Sequence, residues 1–327
     1  MGWYFWHYII RGKVMNHLTV DVIIPAYKPD GRLTYLVEML QKQTYPIEHI
    51  LIINTEERFW NPNLITDMDR VEIFHIPKNE FDHGGTRRLG ESFSGADILV
   101  YMTQDAIPAD RQLVRQLVRP FQKSNVKASY ARQLPTEDCR IIESYTRAFN
   151  YPENSYIKSA EDLPEMGIKT FFCSNVCAAY DHKVYKELGG FPKYAIFNED
   201  MIYAGHLIQA GYSIAYQAEA QVIHSHNYSG RQQFTRNFDL AVSQVQNPDV
   251  FSGVKSESEG IRLVKKTAKY LKSIGKGSLI FQLIYMSGCK YLGYRLGRLY
   301  RRLPYFLVKF CSMNKSYWDQ MENREIN

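Results

Sequence analysis

Residues Ile98 to Met102 form an unbroken apolar run that gives way, within three residues, to a carboxylate, Asp105, and then to Pro108. A run this short and without alternation reads as a strand buried on both faces of a parallel sheet. That one strand constrains much of the chain. Its neighbours need crossover helices, and ligands of such a sheet gather at the carboxyl edge, where Asp105 is delivered. A second acidic turn, Phe197-Asn-Glu199-Asp200, opens an amphipathic helix, and a histidine pair, His224 and His226, closes a later apolar segment. Two separated acidic sites and a histidine pair, all at element ends, point to chemistry rather than packing.

The flanking pattern agrees. Val20 to Pro25 predicts a first strand, and Ala26 to Gly31 is loop chemistry. Leu33, Leu36, Val37 and Leu40 place a crossover helix over 32–43. Further strands are expected at 50–53, 71–76 and 98–102, with the glycine-rich Asp82-His-Gly-Gly-Thr-Arg87 opening another helix. Alternation of this kind predicts an α/β fold with a doubly wound, mostly parallel sheet of the type that holds nucleotides. Strands are also expected at 127–131, across Thr170 to Ala179, and once or twice within 213–225. Helices are expected at 182–188, stopped by Gly189-Gly190, and at 199–210, stopped by Gly211.

From about residue 255 the pattern becomes helical and basic: residues 255–327 hold 15 Lys/Arg against 5 Asp/Glu, in a chain of net charge +6. Over 290–303, Leu292, Leu296, Leu299 and Leu303 share one side of a helix, and Lys290, Arg295, Arg298, Arg301 and Arg302 share the other. Such a helix either lies in an anionic membrane surface or packs on the domain with a solvated basic face. Nucleic acid is not expected, because no binding motif accompanies the charge. No apolar stretch reaches 18 residues, so no transmembrane helix is expected. The expected organisation is an aromatic segment at 1–17, anchoring at an interface or packing on the domain, a catalytic domain at 18–250 and a basic helical region at 251–327. The five cysteines are scattered and odd in number, which suits reduced thiols in a cytosolic protein and not a zinc site.

A carboxylate at the edge of a nucleotide-type sheet is suited to a divalent cation that neutralises a diphosphate, and His224 or His226 would add a nitrogen ligand that favours manganese over calcium. A second, separated carboxylate is then free to act as general base on a hydroxyl.

At these residues the chain resembles the family 2 inverting glycosyltransferases of GT-A fold, and among them the bacterial polysaccharide rhamnosyltransferases. The resemblance spans residues 18–250. It rests on Val22-Ile-Ile-Pro-Ala-Tyr27, Phe81-Asp-His-Gly-Gly-Thr-Arg87, Thr103-Gln-Asp105, Leu188-Gly-Gly-Phe-Pro192, Asn198-Glu-Asp200 and His224-Ser-His-Asn-Tyr228. It implies that Asp105, at the last position of a D-x-D motif whose first position is Thr103, binds Mn2+ or Mg2+ together with His224 or His226. It implies Asp200 as base with Glu199 in support. Pro25, Ala26, Tyr27 and Asn54 match positions that hold the nucleoside. Asp82, His83, Gly84, Gly85, Arg87 and Gln104 match the surroundings of the base and diphosphate, and Ser174 and Asn175 would face the sugar. The implied activity is inverting transfer of L-rhamnose from dTDP-L-rhamnose to a polyprenyl-diphosphate-linked glycan, in the cytoplasm at the inner face of the membrane. UDP-sugar donors and a non-catalytic membrane-surface scaffold remain as alternatives. The oligomeric state stays open, a homodimer through the helical tail being one arrangement.

Overall fold

The computed structural model of the 327-residue chain describes residues 17–66, 68–254 and 257–325. The aromatic segment expected as an interfacial anchor therefore lies, but for His17, outside the described residues. Among the described residues nine strands make one sheet: β1 (Val20–Tyr27), β2 (His49–Thr55), β3 (Val71–Ile76), β4 (Ile98–Met102), β5 (Ile107–Pro108), β6 (Val126–Leu134), β7 (Tyr156–Lys158), β8 (Cys177–Asp181) and β9 (Ser213–Ile223). The order is β3-β2-β1-β4-β8-β6-β9-β5, with β7 beside β9. β1 to β4 are parallel, as their apolar runs and helical crossovers predict. β8 runs antiparallel to both of its neighbours, and β6 is parallel to β9.

Each strand feeds two cores because successive side chains point to opposite faces. Val22 and Ile24 meet Leu33, Leu36, Val37 and Leu40 of helix Gly31–Gln41 on one face. Ile23, with Tyr101 and Tyr180, meets Tyr203 and Leu207 of helix Glu199–Gln209 on the other. Parallel strands thus end together, and β4 carries Thr103, Gln104 and Asp105 to the carboxyl edge.

The strand expected from Thr170 to Ala179 is shorter, only Cys177–Asp181. The reason is Lys158, which is fully buried. Its ammonium donates to the carbonyls of Lys169 (2.8 Å) and Phe172, drawing residues 167–171 into a 3-10 turn. A buried ammonium needs acceptors, and it takes the carbonyls that a strand would have offered. Burial also pulls its pKa down to about 7.

The C-terminal helices are not a detached extension. Helix Leu279–Arg298 packs along helix Gly230–Gln246, and helix Glu257–Ser273 bridges it to helix Ile141–Asn150. The crossing is close because of two glycines. A Cβ on Gly293 would lie 2.1 Å from the Phe234 carbonyl oxygen, and one on Gly297 would lie 2.3 Å from that of Phe238. Gly293→Ala is therefore expected to cost about 2 kcal/mol through overpacking, read as a Tm lowered by a few degrees in a calorimetric scan. A variant melting with the wild type would mean that the two helices do not cross this closely.

That packing corrects the expected amphipathic face. Leu296 and Leu303 sit against a core of Phe238, Val242 and Trp318, whereas Leu292 and Leu299 are exposed. Lys290, expected among the cations of the solvated or membrane face, turns inward instead and lines the central cavity. No helix among the described residues is long and apolar enough to cross a membrane.

Candidate active site

A cavity of about 660 Å³ opens at the carboxyl edge between β4, β8, β9 and the helices above them. At one place on its wall stand Asp105, His224 and His226. Nε2 of His224 is 3.6 Å from one Asp105 carboxylate oxygen, and Nε2 of His226 is 3.6 Å from the other. Their candidate ligand atoms all lie within 4.8 Å of one another. The histidines are carried by the loop that leaves β9, and side chains staple that loop down. Ser225 bonds Thr136, and Asn227 accepts from the Arg140 N–H and donates to the Asp138 carbonyl.

The surroundings prepare both rings as neutral ligands. Burial, with Arg147 nearby, outweighs Asp105 and pulls the His224 pKa down to about 3, and burial lowers that of His226. The His224 Nδ1 faces the Gln133 side-chain oxygen at 3.2 Å, so a proton on Nδ1 leaves Nε2 free as an electron-pair donor beside Asp105. The hydroxyl of Thr103 is buried without a partner. One carboxylate and two neutral imidazoles fit a cation such as Mn2+ or Mg2+ that keeps positions for phosphate oxygens and water.

The second acidic turn lines the same cavity. Asn198 adopts a left-handed conformation (φ 61°), which an asparagine tolerates, and helix Glu199–Gln209 starts directly behind it. Glu199 is buried and paired with Arg87 at 3.1 Å. Burial opposes its ionisation, yet Arg87, His83 and the Asn175 amide outweigh it and hold its carboxyl below the usual range. Asp200 is partly accessible from the cavity. It accepts N–H bonds from Asn175 (3.1 Å) and Met201 (2.8 Å). Burial, reinforced by the adjacent Glu199 charge, pushes its carboxyl up to about 7. A carboxylate oriented by two backbone donors and this basic is suited to take a proton from a hydroxyl.

The other expected residues divide. Gln104, His83, Arg87, Ser174 and Asn175 line the cavity with the acidic groups. Asn175 orients both carboxylates, its N–H on Asp200 and its side-chain amide on Glu199 at 3.2 Å. Ser174 accepts from Gln133, and Gln104 exchanges two hydrogen bonds with the Tyr27 backbone, fastening the end of β1 to that of β4. Pro25, Ala26, Tyr27 and Asn54 stand at the neighbouring ends of β1 and β2, outside the cavity lining. Asp82 caps helix His83–Ser92, accepting from the N–H groups of Gly84 and Gly85. Both glycines answer close approaches: a Cβ on Gly84 would lie 1.9 Å from the Pro192 carbonyl oxygen, and one on Gly85 would lie 2.2 Å from the Asp82 carboxylate.

Three cations at the cavity were not expected from the sequence. Arg147 bonds Gln133 and leaves its Nε buried without a partner, as does Arg87. Arg236 lies over the rings of Phe197 (4.5 Å) and Tyr228 (5.5 Å). Lys290 comes from the C-terminal helix. Each sits on a helix, where a cation ordinarily marks the solvated face, so no local signal distinguishes it. With a candidate metal cluster, a candidate base and cations in one cavity, the arrangement suits transfer from a nucleoside diphosphate to a hydroxyl.

Comparison with known proteins agrees. The family model "Glycosyl transferase family 2" matches residues 21–189. The chain is 36% identical over 309 residues to the O-antigen chain rhamnosyltransferase RfbN of Salmonella typhimurium, covering 93% of this chain and 98% of that protein. It is 38% identical over 306 residues to the O-antigen chain rhamnosyltransferase WbaN of Salmonella anatum, covering 92% and 96%. Among solved structures, a mannosyltransferase from Pyrobaculum calidifontis, in complex with GDP-Man and Mn2+, superposes with TM-score 0.54 at 12% identity, over 95% of this chain and 88% of that one. Residues 1–349 of TarS from S. aureus superpose with TM-score 0.51 at 12% identity, over 87% and 91%.

Proposed function

The chain belongs to glycosyl transferase family 2, and from that premise we propose that it transfers L-rhamnose from dTDP-L-rhamnose to a hydroxyl of a lipid-linked glycan during surface-polysaccharide synthesis. The observation that carries the reading is the sharing of one cavity by a partly accessible Asp200, its carboxyl raised to about 7, and the Asp105–His224–His226 cluster. The activity of the two Salmonella relatives supports rhamnose as the sugar.

In this mechanism the acceptor oxygen attacks the anomeric carbon from the face opposite the diphosphate. A new C–O bond forms as the bond to the diphosphate oxygen breaks, and configuration inverts. The hydroxyl proton passes to Asp200, and the nucleoside diphosphate leaves with the electron pair. Glu199, held ionised by Arg87, keeps Asp200 basic, while the Asn175 and Met201 N–H groups aim it. Asp105, His224 and His226 would hold the Mn2+ or Mg2+, which when bound supplies charge neutralisation for the departing diphosphate. Arg87 and Arg147 line the same cavity and add positive charge beside the place of the departing diphosphate.

The acceptor end is proposed to lie at the cytoplasmic face of the membrane. Phe281, Ile284, Tyr285, Phe306 and Phe310 are all at least 60% exposed, and Arg298, Arg301 and Arg302 are exposed nearby in sequence. Apolar side chains of this size next to cations suit an anionic lipid surface.

The test is turnover of a panel of dTDP- and UDP-sugars with Mn2+ on a synthetic lipid-linked acceptor, with flotation on vesicles containing anionic lipid. Rhamnose transfer from dTDP-L-rhamnose and co-flotation are expected. Transfer from a UDP-sugar alone would overturn the donor assignment, and failure to float would overturn the membrane face.

A further inference from the structure

An irregularity in the sheet brings Gln133 and His224 together. β6 and β9 run parallel, and Ala131 lies opposite Gln217, yet the next residue, Arg132, lies opposite Gln221. Residues 218–220 of β9 are passed over in a bulge. Ser155 fastens that bulge, accepting from the Ala218 N–H at 2.8 Å and donating to the Glu219 carboxylate at 2.6 Å. Bulges re-aim side chains next to active sites. This one sets Gln133 opposite Val222, and the ladder runs on as the His224 N–H donates to the Leu134 carbonyl at 2.9 Å. Residues two apart in a strand share a face, so His224 points to the side that Gln133 occupies.

The direction of the Gln133 amide is fixed by its neighbours. A guanidinium can only donate, and Arg147 donates to the Gln133 Oε1. The amide nitrogen donates to the Ser174 hydroxyl at 3.1 Å. Oε1 is therefore the atom that stands 3.2 Å from the His224 Nδ1, and an acceptor at that place calls for a proton on the ring nitrogen. Arg147 Nη1 is itself 3.4 Å from Nδ1 and would suit the opposite tautomer, but it is the more distant partner and is already engaged with Oε1. All three side chains are buried, where an unmatched donor or acceptor is costly.

We propose that Gln133 is a positioning residue that sets the tautomer of His224. Its oxygen, turned by Arg147, keeps the ring proton on Nδ1 and leaves the Nε2 electron pair toward Asp105, 3.6 Å away. The use of that pair rests on the reading of Asp105, His224 and His226 as a cation site. Without Gln133 the Arg147 N–H becomes the partner of Nδ1 and the ring proton moves to Nε2. His224 then donates to Asp105 instead of sharing a cation with it. The other end of the same amide reaches the second acidic site: Ser174, its acceptor, precedes Asn175, which orients Asp200 and Glu199. One amide thus steadies both halves of the cavity.

The first measurement is the ring-nitrogen NMR spectrum of the isotope-labelled, metal-free full chain, with the His224 signals assigned by their loss in His224→Ala. Wild type is expected to show a protonated Nδ1 and an unprotonated Nε2. Gln133→Leu, which removes the acceptor and leaves Arg147 beside Nδ1, is expected to reverse the two. Gln133→Glu, which still offers an oxygen to both Nδ1 and Arg147, should keep the wild-type pattern. The second measurement is Mn2+ affinity by electron paramagnetic resonance. Gln133→Leu is expected to weaken it by about tenfold to a hundredfold, the scale of a lost partner behind a metal-binding histidine, and Gln133→Glu to hold it within about threefold. A wild-type ring protonated on Nε2, or a Gln133→Leu spectrum like that of wild type, would overturn the assignment. Equal loss of Mn2+ affinity in Gln133→Leu and Gln133→Glu would overturn it in favour of packing. A wild type with the expected spectrum that binds no Mn2+ would retire the cation site and leave the tautomer assignment standing.

Discussion

Asp200→Asn is expected to lower kcat by about a thousandfold, the scale of a lost general base, while nucleotide binding stays within about twofold of wild type. The amide keeps the shape of the carboxyl group but can accept from only one of the Asn175 and Met201 N–H groups, and it cannot accept the proton. The wild-type rate carries its own check. With the Asp200 carboxyl raised to about 7, the base form is lost as pH falls through that value, so kcat/KM should drop about tenfold per unit below it. The variant should lack this acid limb. Stability should move oppositely. A carboxyl raised on folding contributes stability that is full below its unfolded value near 3.8 and is lost as pH rises through about 7. At pH 8 the asparagine variant should therefore melt no lower than wild type. A variant that is both inactive and markedly less stable at pH 8 would point to a structural role.

The second large effect falls on the opposite charge chemistry. Asp105→Ala is expected to weaken Mn2+ binding at least a hundredfold and to lower transfer by about a thousandfold, with no rescue by excess Mn2+. His224→Ala should approach that loss, because its ring is buried (side chain 6% exposed) and fixed by Gln133. His226→Ala should cost less, its side chain being 37% exposed and open to replacement by water. Mn2+ binding followed by electron paramagnetic resonance separates these from folding defects. Retained Mn2+ affinity in Asp105→Ala would exclude this cluster as the metal site.

What the sequence revealed and concealed follows from how far each signal travels along the chain. Asp105, Glu199, Asp200, His224 and His226 could be expected at one edge of the sheet because each stands at the start or end of a short element whose type is written in its own neighbours. The parallel strands β1 to β4 were legible for the same reason. Arg147, Arg236 and Lys290 were not, because the direction a helical cation faces is set by which helix lies against it. For Lys290 that choice is made by Gly293 and Gly297, whose missing side chains let two helices close together. The unformed strand before Cys177 has a similar cause, since carbonyls at its start answer to Lys158, a residue outside the segment. The Gly84-Gly85 pair was expected beside the base and diphosphate, and in the structure both glycines are closely approached. The approaching groups are the chain's own Pro192 carbonyl and Asp82 carboxylate.

The segment leading to Asp200 is gripped from two directions. The Pro192 carbonyl rests against Gly84 of the second crossover helix, and the Phe197 carbonyl accepts from Ser243. Ile196 is buried with Val308, Tyr317 and Trp318. Asp200 is therefore held in part by residues more than a hundred positions downstream. The C-terminal helices act as a clamp on the acidic turn: a change at Trp318, remote from the cavity, is expected to reach the Asp200 carboxylate without altering any side chain that lines it.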